Sequence, residues 1–236
     1  GDKLADEINQ NFITANVYLG AQPLVDALKS GADMVITGRV ADPCLYLAAM
    51  VAHYGWAWDD WNRLASGIVA GHLLECTGQV VGGNSLARIH ETDAATLPYL
   101  GYPIAEVEAD GSFVLTKSPN SAGCVSTETV KEQLLYEIHD PAHYITPDVV
   151  ANLTTLHLED AGENRVRVTG VTGKPRTPTY KLNLGRLEGY SRELIFNIGW
   201  PETWMKVNQL KAALNVIFQR NEAIERWEYS YLGANS

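Results

Sequence analysis

The chain has 236 residues, 46% hydrophobic and 19% charged, the composition of a globular protein long enough to bury a substantial core. Its 18 basic and 28 acidic residues leave a net charge of −10, which argues against nucleic acid and anionic membrane as partners. No apolar run reaches the roughly 20 residues of a membrane span and no signal-peptide pattern opens the chain. Three widely spaced cysteines, Cys44, Cys76 and Cys124, with no C-x-x-C pair read as a reducing compartment, and a cytoplasmic protein is expected.

Taken in order, Ala15 to Lys29 carries apolar residues at helical spacing, and Ser30-Gly31 stops it. Asp33 to Thr37 (DMVIT) is a short apolar run of the kind found in a buried parallel strand. It gives way to the polar loop Gly38–Pro43 and a second helix, Cys44 to Tyr54. Ligands of such units sit beyond the strand ends. Arg39 is therefore a candidate clamp for a carboxylate or phosphate, and Asp42 a candidate partner for a hydroxyl or amide. The same two residues would equally serve as an ion pair stapling strand to helix.

Asp59 or Asp60 can cap a third helix running to about Cys76. Pro103–Val107 and Ser112–Lys117 flank Asp110-Gly111, a hairpin signal. The polar loop that follows, Lys117 to Thr127, leads into a helix from Thr127 to about Ile138, closed by Asp140-Pro141. Lys117, Ser121, Ser126 and Thr127 cluster there just ahead of a helix N-terminus, which suits an anion as well as a simple cap. Beyond Asn152, strands are expected at Leu153–Glu159, Arg165–Val171, Thr179–Leu184 and Glu193–Ile198. A last helix is expected from Pro201 to about Glu228, with Trp204, Val207, Leu210, Leu214, Ile217, Ile224 and Trp227 on its apolar face. The fold class expected is mixed α/β. It has an α/β N-terminal third (1–100), a β-rich antiparallel second part (101–236) and a long C-terminal helix, in a single domain.

The segment Gly67–Ser85 (GIVAGHLLECTGQVVGGNS) concentrates polar groups in a small, apolar setting. His72, Glu75, Cys76 and Gln79 recur at three- and four-residue spacing and would share one face of a helix. Polar groups on an apolar element cost free energy unless satisfied or used. His72 can serve as acid or base with Glu75 orienting or charging it, and Gln79 or Asn84 can hold a substrate carbonyl. The bland reading is a solvated helix face stopped by Gly82-Gly83. Neither H-E-x-x-H nor cysteine pairs occur, His139 and His143 are separated by Asp140-Pro141, and no metal site is expected. Neither G-x-x-x-x-G-K-[ST] nor G-x-G-x-x-G occurs, so no standard nucleotide fingerprint is present.

Three strings carry a resemblance: ANVYLGAQPLVDALKSGADMVITGRVADP, DDWNRLASGIVAGHLLECTGQVVGGN and SAGCVSTETVKEQLLYEIHDPAHYITPDV. They are similar to the acyclic terpene utilisation protein A family, over the stretch from about Leu4 to Gly199. Members occur with genes for bacterial breakdown of citronellol, geraniol and related branched acyl-CoA compounds. Residue by residue, the matching positions are Gly38, Arg39, Asp42, His72, Glu75, Cys76, Gly78, Gly82, Gly83 and Asn84. Gly123, Thr127, Thr129, Gln133, Tyr136 and Glu137 follow around the third string. Full-length members look longer, with a Gly-rich α/β segment ahead of Gly1. This implies the later part of a larger domain, or a companion subunit that supplies the rest.

The resemblance implies an enzyme or enzyme part in the catabolism of acyclic terpenoid or branched acyl-CoA or carboxylate compounds, by hydratase, lyase or hydrolase chemistry. No cofactor is expected beyond CoA as part of a substrate, and a homo-oligomer is expected. The alternative expectation is a non-catalytic subunit that binds the acyl-CoA or a partner enzyme.

Overall fold

The computed structural model describes residues 12–83, 85 and 94–233. Contacts group the chain into two compact units, Gly1–Leu187 and Glu188–Ser236. Among the described residues there are five α-helices and nine strands, and every strand ladder is antiparallel. The fold is mixed α+β.

Among the described residues, the first element of the first unit is strand β1 (Phe12–Val17), which pairs with β9 (Leu182–Arg186) in a two-stranded ribbon. Helix α1 (Gln22–Lys29) follows, with a proline in its first turn. The helix expected from Ala15 is thus shorter by seven residues, because Ala15–Val17 find a strand partner and Pro23 favours a helix start. Helices α2 (Cys44–Tyr54) and α3 (Trp61–Glu75) form an antiparallel pair joined at Gly55, whose left-handed φ of 67° ends α2.

A four-stranded sheet runs β2 (Pro103–Val107), β3 (Phe113–Lys117), β7 (Val166–Thr169), β6 (His157–Asp160). The Asp110-Gly111 hairpin falls where the sequence places it, with Val107 opposite Phe113. A three-stranded sheet runs β4 (Tyr144–Ile145), β5 (Val149–Asn152), β8 (Thr172–Pro175). Helix α4 (Thr127–Leu135) connects the two sheets in sequence. The core joins Leu47 and Val51 of α2, Leu64, Ile68 and Leu73 of α3, Phe113 and Leu115 of β3, and Val130 of α4. Gly173 lets β8 lie directly on α3, since an added Cβ would meet the Trp61 carbonyl oxygen at 2.0 Å.

Asp33–Thr37 corrects an expectation. It forms no strand, and Met34 and Ile36 are 79% and 89% exposed. A buried parallel strand needs neighbours at its edges and layers on both faces. None of the described residues supplies them. The sole parallel contact nearby is an isolated bridge between Leu19 and Val40.

In the second unit, helix α5 (Thr203–Gln219) contains no buried residue. Trp227 Nε1 and Tyr229 OH both donate to Asn215 Oδ1, at 3.0 and 2.8 Å, so the chain after α5 doubles back on the helix. That return replaces the helical continuation to Glu228. Ile224 and Trp227 therefore lie beyond the helix whose face they were expected to extend. Glu193–Ile198 forms no strand either, as no described segment pairs with it.

Candidate functional site

Asp60 caps α3, accepting from the Arg63 amide, and from Leu64 to Leu74 the helix is buried throughout. Polar side chains on such an element need partners inside the protein. Gly71 opens the way to them. A Cβ there would stand 2.4 Å from the Pro43 carbonyl oxygen, so the missing side chain lets the Gly38–Pro43 loop close on the last turns of α3.

His72 is 1% exposed and both ring nitrogens are engaged. Nε2 donates to the Gln133 carbonyl oxygen at 2.9 Å, and Gln133 Nε2 returns a bond to the His72 carbonyl oxygen at 3.0 Å. This reciprocal pair locks α3 to α4. Nδ1 lies 3.0 Å from Glu75 Oε1. Since a carbonyl can only accept, Nε2 supplies the proton of its bond to Gln133. The Tyr144 ring packs against the imidazole at 5.5 Å between centroids.

Two buried acceptors are left over. Glu75 Oε2 and Gln133 Oε1 have no hydrogen-bond partner among the described residues, at a cost of about 1–3 kcal/mol each. Cys76 lies next to the Gln133 amide, a contact that eases ionisation of the thiol. Burial outweighs it, and with Glu75, Glu137 and Asp42 nearby pushes the thiol up. Burial likewise raises Tyr46 and Tyr144, each further raised by the Glu75 charge. Tyr136 is raised chiefly by Glu137 beside it. Asp42, Glu75, Cys76, Tyr136, Glu137 and Tyr144 thus share one electrostatic neighbourhood. Among the described residues, His72 is the basic side chain that meets this group, and Glu75 Oε1 holds it.

Backbone strain marks the same place. Thr77 and Glu137, each one residue past a member of the cluster, hold left-handed φ values of 46° and 58°. A β-branched residue rarely adopts that region, and strain of this kind gathers at functional sites. Thr77 also explains why Gln79 departs from the expected helix face: α3 stops at Glu75 and Gln79 ends a short 3₁₀ turn. Asn84 lies outside the described residues.

The remaining candidates are placed differently. Arg39 forms no ion pair with Asp42 and instead lies over the Tyr18 ring at 5.1 Å. Lys117 Nζ donates to the Ser121 carbonyl oxygen at 2.7 Å, and Ser121 Oγ donates to Ser118 O, so both hold the loop together. The Ser126 hydroxyl and Thr129 cap each other's backbone in a capping box. A hollow at this end of α4 is walled by Glu128, Asp160 and Glu163 and is unsuited to an anion. Among the described residues no three His, Cys, Asp or Glu side chains are placed to share a metal ion.

Tyr46 and Tyr144 were not singled out from the sequence. Gln133 had a local signal, a polar residue between Val130 and Leu134 on a buried stripe.

The family model for acyclic terpene utilisation family protein AtuA matches residues 1–236. The chain belongs to the AtuA family. This ties it to acyclic terpene utilisation. The chain finds no match among the curated proteins or among the solved structures. Among the described residues of this AtuA-family chain, no helix is long and apolar enough to cross a membrane.

Proposed function

We propose that the chain is an enzyme, or part of one, that moves a proton at the carbonyl-activated carbon of a branched acyl-CoA or carboxylate. The observation that carries this reading is Glu75. One carboxylate oxygen is held by His72, and the other is buried with no partner among the described residues. A carboxylate fixed at one oxygen and unpartnered at the other is suited to act as an acid–base group. His72 is the residue that orients it and balances its charge, since neither imidazole nitrogen faces open space.

In this reading Glu75 Oε2 takes a proton from the carbon next to the carbonyl, and the electron pair of that C–H bond forms the new C=C bond. A hydroxyl on the neighbouring carbon leaves with its bonding pair and accepts the proton from Glu75, giving water. Hydration is the same path reversed. Gln79 and Asn84 stay the proposed partners of the substrate carbonyl, Asp42 of its hydroxyl, and Arg39 of its anionic end.

The test is proton exchange. Purified protein is incubated in D₂O with branched acyl-CoA thioesters and the corresponding carboxylates, and deuterium at the activated carbon is read by mass spectrometry. Incorporation that disappears in Glu75→Gln supports the proposal. Equal incorporation in wild type and variant, or none with any compound offered, overturns it.

The partner-binding reading rests on a separate observation, the exposed and unpaired Asp33–Thr37 run. A stoichiometric partner recovered with the protein from native extract supports it, and a homo-oligomer recovered alone contradicts it.

A further inference from the structure

Positive charge is scarce in this chain, yet it gathers at one place. The segment from Lys174 to Lys181 (KPRTPTYK) holds three cations and no acid. Tyr18 links its end to the loop that carries Arg39. The Tyr18 amide donates to the Lys181 carbonyl oxygen at 3.1 Å, and the next amide, of Leu19, donates to the Arg39 carbonyl oxygen at 3.3 Å. Residues 18–19 therefore lie between the two cationic segments. Arg39 and Lys181 come within 5.1 and 5.0 Å of the centre of the Tyr18 ring. Arg176 donates to the hydroxyl of the half-exposed Tyr180 at 2.7 Å.

Among the described residues no acidic side chain forms an ion pair with Arg39, Lys181 or Arg176. The buried Asp148 lies within electrostatic reach of Arg176, but both of its oxygens accept from the Ala21 amide, at 2.9 and 3.0 Å. Like charges gathered on one ring repel, and the ring faces offset that repulsion only in part. An anion is the missing complement.

Three residues further along the Gly38–Pro43 loop, Asp42 faces the carboxylate cluster around Glu75. Glu75, Glu137 and Asp42 repel phosphate, so the phosphorylated end of a substrate seated there must bind away from them. We propose that Tyr18, Arg39, Arg176 and Lys181 form a seat for a polyphosphate anion, the nucleotide end of an acyl-CoA whose acyl end reaches Glu75. The choice of acyl-CoA rests on the function proposed above. The anion seat itself rests on the cation cluster.

Isothermal titration with coenzyme A, adenosine 3′,5′-bisphosphate and inorganic pyrophosphate tests it. Coenzyme A and the bisphosphate are expected to bind to wild type and to weaken with added NaCl. Arg39→Gln combined with Lys181→Gln is expected to weaken both by at least about tenfold. Glu75→Gln is expected to leave bisphosphate binding unchanged, which separates this seat from the proton-transfer reading. Pyrophosphate binding as tightly as coenzyme A would keep the anion seat and assign it to free polyphosphate. Binding that ignores both the double substitution and salt overturns the proposal, as does no binding of any of the three. Matching thermal unfolding of wild type and variant shows that the double substitution leaves the fold intact.

Discussion

In the proposed reading Glu75 and His72 divide one piece of work between them, and substitutions around them have distinct signatures. Removing the imidazole by His72→Ala takes the partner from Glu75 Oε1, leaves the Gln133 carbonyl with the Tyr136 amide alone, and opens a void between α3 and α4. A loss of about 2–4 kcal/mol is expected, read as a lower urea midpoint. Cys76 gives a pH-dependent readout. With its thiol raised chiefly by burial, alkylation near pH 8 is expected to lag behind an exposed cysteine and to keep rising past pH 9, followed by peptide mass spectrometry. A rate that levels off below pH 8 would contradict the burial. The pairing of His72 with Glu75 was legible from their three-residue spacing. The engagement of both imidazole nitrogens was not, because it depends on Gln133, 61 residues away in sequence. Tyr144 was missed for the same reason, since a lone tyrosine carries no local sign of the ring it packs against.

The packing of α2 and α3 turns on two small residues. Gly67 faces Leu47 Cδ1, while Gly71 faces the Pro43 backbone, which cannot swing aside as a side chain can. Gly71→Ala is therefore expected to cost about 1–3 kcal/mol and to push the Gly38–Pro43 loop off the site, while a fall of thermal stability within error would contradict the close approach. Helices α2 and α3 and the Asp110-Gly111 hairpin were readable because caps, turn residues and periodicity agree there. The Asp33–Thr37 run was misread because its apolar pattern describes a strand whose neighbours are not among the described residues. The end of α5 was misread because the contact that stops it, Trp227 on Asn215, is tertiary.

For the whole molecule, Asp148 links stability to pH. Burial raises its carboxyl above the usual value, although the Ala21 amide and Arg176 pull the other way. The folded state thus holds this proton more tightly than the unfolded chain. Its contribution is fully present below the unfolded value near pH 4, and is lost as pH rises through the raised folded value. Asp148→Asn is expected to flatten that part of the stability–pH curve measured by urea unfolding, and an unchanged curve would contradict the assignment. The buried hydrophobic core runs from Ala21 to Val171, entirely within the first unit. A chain ending at Leu187 is expected to keep one cooperative unfolding transition, checked by circular dichroism. The mixed composition of helices and antiparallel sheets was legible at this scale, while the division at Leu187 leaves no punctuation in the sequence.

The central claim is that the unpartnered oxygen of Glu75 does the chemistry, and complementation tests it most directly. In a citronellol-degrading host lacking its AtuA gene, wild-type protein is expected to restore growth on citronellol. Glu75→Gln, made at the same level and with the same thermal stability, is expected to fail. Growth restored to the wild-type rate by Glu75→Gln would contradict the claim.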